Sequence, residues 1–317
     1  MTAFRESAGT APGIRARRGQ SGRWRQAVPG YLFLAPWLAG FFLLTLGPTL
    51  VSLYLSFTDF DLLRSPQWVG AANYERIFTS DPKFWSSVAV TLTYVVLSVP
   101  LKLGFALAVA MWLNRGIAGL GIYRAIFYLP SLLGGSVAVA ILWKQVFGYD
   151  GLINQLLWLA FGVNGPSWIS NPETSLYTLV LLSVWQFGSP MIIFLAGLRQ
   201  IPRDLYEAAS IDGATPRQQL TKITLPLLAP VIFFNLVLQT IEAFKAFTPA
   251  FIISGGTGGP VDSVLFYTLY LYQQGFAYFR MGYASALAWI LLLTIATFTA
   301  LAFLSQRYWV YYEDDPR

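Results

Sequence analysis

Six long apolar runs, at residues 31–57, 86–112, 123–147, 175–198, 225–253 and 282–304, constrain this chain more than any motif in it. Each reaches or exceeds the ~20 residues an α-helix needs to cross a hydrocarbon layer about 30 Å thick. In that solvent every backbone N–H and C=O must be satisfied inside the protein, which leaves helices or a closed barrel. No segment keeps the two-residue alternation of a barrel strand for long, so the chain reads as an all-α integral membrane protein with six transmembrane helices. Several runs exceed the minimum length and carry prolines inside or at their ends (Pro36, Pro48, Pro100, Pro130, Pro190, Pro230, Pro249), so tilts and kinks are expected. Composition agrees: 56% of the 317 residues are hydrophobic and only 11% charged, against roughly 25% charged in soluble domains.

Six spans place both termini on one side, and the basic residues say which. The N-terminal tail (Arg5, Arg15, Arg17, Arg18, Arg23, Arg25), the 114–124 and 199–224 loops and the C-terminal tail hold fourteen Lys and Arg, while the opposite loops hold four: Arg64, Arg76, Lys83 and Arg280. By the positive-inside rule both termini and the 199–224 segment are cytoplasmic. The expected organisation is a basic cytoplasmic tail (1–29), a six-span domain (30–310) with a structured cytoplasmic region at 201–224, and a short cytoplasmic tail (311–317). The first run is too long, and lacks the small-residue cleavage site, for a removed signal peptide, so it is read as retained. The net charge of +6 tracks the membrane sides rather than one aromatic-interleaved patch, which argues for lipid as a partner and against nucleic acid.

Cysteine and histidine are both absent. Disulfides, thiolate nucleophiles, Cys/His metal sites and Ser-His or Cys-His catalysis are excluded together. An integral membrane enzyme would then need clustered carboxylates, and the Asp and Glu residues are scattered over loops, so neither catalytic nor metal-ligating residues are expected. An ion-coupled secondary transporter would show paired repeats and several intramembrane acids; no repeat is visible and only Glu242 is clearly intramembrane. The run "GGTGGP" (255–260) lacks the Lys-Ser/Thr of a phosphate-binding loop, and no such loop occurs elsewhere.

The polar stretch "YEAASIDGATPRQQLTKITLPLLAP" (206–230) stands between two apolar runs. Pro202 suits the first turn of a helix carrying Leu205, Ala208 and Ala209 on one face, and Asp212-Gly213 offers the turn that stops it. Thr215 and Gln218 form a capping-box pair with Pro216 at the first position of a second helix, which enters the membrane near Pro226. Ala208-Ala209 presents a low surface on which another backbone could seat, flanked by Glu207 and Asp212. Spacing alone fits an interfacial helix resting on headgroups equally well.

Polar residues inside the runs are the other candidates. Glu242 and Lys245, three apart, share a helix face and can neutralise each other, and intramembrane ionisable groups are functional candidates by default. Packing within the bundle or against another subunit is the competing role. Lys102 has no evident partner and is read as snorkelling or making an interhelical contact. In "VWQFGSP" (184–190), Trp185, Gln186 and Ser189 interrupt apolar sequence; an aromatic face beside an amide suits a sugar, with membrane packing as the rival. The aromatic ends "WLAFGVNGPSWI" and "FLSQRYWVYY" read as interfacial anchors.

The polar stretch resembles the EAA loop of bacterial ABC-importer permeases, with its three blocks at Glu207–Ala209, Asp212–Ala214 and Ile223–Pro226. "VGAANYERIF" (69–78), "AGLRQIPRDLYEAA" (196–209) and "GGTGGP" are similar to elements of the carbohydrate branch, and the likeness covers roughly residues 30–310. Arg217 and Leu220 stand where a large aromatic is common. The resemblance implies a type I ABC importer permease fold in the bacterial inner membrane. It implies as partners a second homologous permease subunit, two ATPase subunits that bind ATP and Mg, and an extracytoplasmic substrate-binding protein, with no cofactor on this chain. It makes Glu207, Ala208, Ala209, Asp212, Gly213, Ala214 and Pro226 the expected ATPase-coupling residues. By approximate position against the related maltose permease subunit, Trp185, Gln186, Lys245, Phe247 and Tyr270 join Glu242 as expected substrate-path residues. The expected cargo is a di- or oligosaccharide, with glycerol-3-phosphate or a polyol as alternatives.

Overall fold

The computed structural model describes residues 32–116 and 119–310, so the expected tails 1–29 and 311–317 lie outside the described residues. By internal contacts the chain divides into two units, residues 1–52 and 53–317. Most of α1 (Leu32–Ser56) belongs to the first; it is a 25-residue apolar helix in which Trp37 stacks on Phe41 with ring centroids 5.5 Å apart. Inside α1 the stretch Phe41–Leu46 is π-helical, with the N–H of Gly47 reaching back to Phe42 O just before Pro48. Proline offers no donor and its ring crowds the carbonyl four residues back, so the turn ahead of it widens. The same arrangement recurs at Leu220–Thr224, where Leu225 N–H bonds Leu220 O just before Pro226.

The second unit opens with a two-residue antiparallel ladder, β1 (Thr58–Asp59) on β2 (Gln67–Trp68), a small departure from the strand-free expectation. Helix α2 (Ala72–Thr79) carries the Asn-Tyr pair of the 69–78 motif. Asn73 Nδ2 donates to Ser56 O and Thr58 O, each at 2.9 Å, and Tyr74 OH donates to Ser56 Oγ at 2.8 Å. The two Asn73 bonds satisfy carbonyls at and just beyond the end of α1, where a helix terminus leaves them unpaired.

Helix α3 (Pro82–Leu113) is the hub. Asp81 caps it through Phe84 N–H at 3.2 Å and Pro82 starts it, as a fixed φ without an N–H favours at a first position. Its 32 residues span about 48 Å, longer than a bilayer core. Its buried face includes five small side chains (Ser87, Thr91, Ser98, Ala106, Ala110), which let neighbouring helices approach closely.

The remaining elements are α4 (Leu120–Leu133), α5 (Val137–Val146), α6 (Leu152–Phe161), α7 (Ser175–Trp185), α8 (Gly188–Leu198), α9 (Arg203–Ile211), α10 (Pro216–Gln219), α11 (Leu225–Phe244), α12 (Thr248–Ser254), α13 (Tyr267–Tyr272) and α14 (Met281–Trp309). Helix α3 packs against α7, α8 and α11 around a core that includes Leu179, Leu182, Met191, Phe194, Leu195 and Leu228.

The expected kinks are sharpest at two runs. The third is broken into α4 and α5, bent by 97°, and the fourth into α7 and α8, bent by 42°; four helices or continuous helical stretches remain long and apolar enough to cross alone, six spans in all if each bent pair counts as one. Gly134-Gly135 ends α4, and Ser136 starts α5 as a cap on Val139 N–H at 3.3 Å. Pro190, lacking an N–H, leaves the carbonyl of Gln186 without its helical donor. The fifth run is also interrupted, at Lys245–Phe247, where Pro249 starts the short α12.

Candidate functional site

The breaks meet around one polar cavity of about 460 Å³. Lysine 102 and Tyr94 reach it from α3, Ser131, Gly134 and Gly135 from the α4–α5 break, and Ser183, Gln186 and Ser189 from the α7–α8 break. Gln239, Glu242, Lys245 and Phe247 come from the end of α11 and the turn beyond it. Unwound backbone inside a membrane protein is tolerated only where its polar groups find partners, and here the two bent pairs satisfy each other. Ser131 Oγ donates to the freed Gln186 O at 2.9 Å and accepts from Ser189 N–H at 2.9 Å, while Gln186 Nε2 donates to Gly134 O at 3.0 Å. Gly188 allows this stitch, since a Cβ there would collide with the backbone of Phe127 and Tyr128.

Four expected substrate-path residues, Gln186, Glu242, Lys245 and Phe247, line this cavity. Glu242 Oε1 and Lys245 Nζ form an ion pair at 2.8 Å with both side chains more than half exposed in the isolated chain, so they are open to the cavity. Gln186 spends its amide donor on Gly134 and keeps Oε1 for other work. Trp185 does not line the cavity; it packs at a tilt on Trp143, with centroids 5.9 Å apart.

Tyr270 also lies elsewhere. Its hydroxyl and that of Tyr283 both donate to Asp81 Oδ2, tying α13 and α14 to the start of α3. Burial, reinforced by the hydrogen bond to the Asp81 carboxylate, holds the Tyr270 phenol well above its usual pKa, so it stays a donor. One bond connects this cluster to the cavity wall: Thr268 Oγ1, in α13, donates to Ala246 O in the unwound turn next to Lys245. The sequence reading missed Tyr94, Ser131 and Gln239 and set Lys102 aside; the Gly-Gly pair of "LPSLLGGS" was the available sign that a run had to break there.

The second candidate region is the polar hairpin. Helix α9 starts at Arg203 with Pro202 just outside it, one residue later than expected. At its end Gly213 takes φ +79°, Gly213 N–H bonds Ser210 O at 3.1 Å and Ala214 N–H bonds Ala209 O at 2.9 Å. That is the Schellman closure, which favours glycine because a Cβ is strained at positive φ. The expected capping box follows, with Thr215 N–H on Gln218 Oε1 at 2.7 Å and Gln218 N–H on Thr215 Oγ1 at 3.4 Å. Two cross-ties join the limbs: Gln219 Nε2 to Ser210 Oγ, and the Tyr206 and Thr224 hydroxyls, each at 2.9 Å. Ala209, Asp212, Gly213 and Ala214 line a notch of about 350 Å³. Glu207 and Ala208 are exposed on α9, and Pro226 lies beyond the widened turn in α11. Ile211 projects from the tip 87% exposed, an apolar contact the sequence reading passed over.

Comparison with known proteins places these features in context. Residues 77–310 match the family model described as binding-protein-dependent transport system inner membrane component. The chain is 54% identical over 286 residues to a probable ABC transporter permease protein, YesP, of Bacillus subtilis, covering 90% of this chain and 93% of that one. It is 33% identical to the lactose transport system permease protein LacF of Rhizobium radiobacter, over 88% and 94% of the two chains. Among solved structures, a chain of a bacterial alginate ABC transporter, crystallised with an alginate pentasaccharide-bound periplasmic protein, superposes with a TM-score of 0.79 at 22% identity, covering 91% and 97%. The broken spans and the capped hairpin are thus set in a type I ABC importer permease fold, and the chain belongs to the binding-protein-dependent transport system inner membrane components.

Proposed function

We propose that this subunit forms half of the translocation path of an ATP-driven importer for a di- or oligosaccharide. The observation that carries the reading is the polar cavity at the level where the helices break. Its volume falls within the roughly 300–1,000 Å³ range of small-molecule sites, and hydroxyls, amides and an aromatic ring line it. A relative named for lactose transport supports a sugar as cargo. In this reading a second homologous permease subunit closes the cavity's open side, an extracytoplasmic binding protein delivers the sugar, and both termini are cytoplasmic. Two ATPase subunits bind ATP and Mg, and this chain performs no bond chemistry.

The hairpin is the lever. An element that relays a push must not deform, and residues 203–224 are capped at the turn and tied limb to limb. The exposed Ile211 tip, with Glu207 and Ala208 beside it, would seat in the ATPase. Closure of the ATPase dimer on ATP would then displace the hairpin as a body and, through α11, which it leads into, re-aim the cavity. Gly213→Asp, which strains the αL position, and Glu207→Lys, which reverses an exposed charge, are expected to leave the protein inserted while ATP-dependent uptake into vesicles is lost and ATPase co-purification weakens. Normal uptake by both variants would refute the coupling assignment.

A further inference from the structure

This chain brings two amines and one carboxylate to the cavity, Lys102, Lys245 and Glu242. Lys245 Nζ holds Glu242 Oε1 at 2.8 Å. One acidic side chain therefore stands against two basic ones. Lys102 makes no hydrogen bond or ion pair among the described residues. It stands 20 residues from the start of α3 and 11 from its end, about 30 Å and 17 Å along the axis, and lines the cavity. An unpaired basic group among apolar helices is costly unless a ligand or a neighbour meets it.

Resting on the carbohydrate reading above, we propose that the cavity selects a sugar bearing a single anionic group, an acidic oligosaccharide whose carboxylate is received by Lys102. A carboxylate matches the surplus of one charge, whereas a dianionic phosphate would leave an uncompensated negative charge in the same low-dielectric space. Two lysines, one from α3 and one from the turn that ends α11, converge on the same cavity.

The test uses the whole transporter co-purified with this chain in detergent, without added binding protein. Equilibrium binding is measured for a uronic-acid disaccharide, its carboxyl-reduced neutral counterpart and a disaccharide phosphate. Wild type should bind the uronate most tightly. Lys102→Gln should weaken that binding about tenfold, as for loss of one charge-assisted hydrogen bond, and weaken binding of the neutral sugar less; Lys102→Arg should retain uronate binding. Glu242→Gln, which raises the surplus, should strengthen uronate binding severalfold, a sign that a purely structural role for these residues would not produce. Equal binding of uronate and neutral sugar, unmoved by the three variants, would overturn the inference while leaving the carbohydrate reading intact; this would follow if a partner-subunit acid already neutralises Lys102. Tighter binding of the phosphate would overturn the carboxylate assignment. Binding of none of the three would overturn both readings.

Discussion

Single side chains here act mainly on backbone that the breaks leave open. Ser131 is the clearest case, since its hydroxyl serves the Gln186 carbonyl and the Ser189 amide at once. Ser131→Ala strands both part-buried groups, at up to about 1–3 kcal/mol each where water from the cavity does not replace the hydroxyl. The variant should therefore unfold at a clearly lower temperature in detergent, whereas Ser131→Thr, which keeps the hydroxyl, should unfold near wild type. The Glu242–Lys245 pair was legible in the sequence because a three-residue spacing fixes two side chains on one helix face. The role of Gln186 was not: its donor goes to Gly134, 52 residues away, and no local pattern encodes that meeting. That Lys102 lines the cavity was hidden for a related reason, because a helix position shows depth along an axis but not which cavity the side chain faces.

At the level of elements, caps and turns were readable and bends were not. The Thr215–Gln218 box and the Gly213 turn are local chemistry, set by residues three or four apart, and both are present as read. The 97° break between α4 and α5 falls at Gly134-Gly135 inside an apolar run; composition reports that a stretch tolerates lipid, not that it is straight. The prolines gave the approximate places, but their effects differ, widening a turn before Pro48 and Pro226 and freeing a carbonyl before Pro190. The capping box carries its own prediction. Thr215→Ala should cost about 1 kcal/mol and speed hydrogen exchange at the amides of residues 215–219, while exchange in α3 stays unchanged.

The whole molecule was legible as a class: six apolar runs and the EAA blocks pointed to a membrane permease, and the family match over residues 77–310 bears that out. Its orientation rests on arginine and lysine placement alone, and the chain offers a direct check because it contains no cysteine. Single cysteines at Arg217 and at Thr257 should react with membrane-impermeant maleimide from opposite sides, Arg217→Cys only from the cytoplasm and Thr257→Cys only from outside. Labelling of both from one face would refute the proposed topology. Half of the cavity could not be read from this chain by any route, since its open side is expected to belong to another polypeptide.

The bond from Thr268 to the Ala246 carbonyl has a mechanical meaning. Ala246 adjoins Lys245, and Thr268 sits two residues from Tyr270, which is anchored on Asp81. The turn that bears Lys245 is therefore leashed to a helix anchored on Asp81, so a displacement of α13 is delivered at the cavity without passing through the length of any helix.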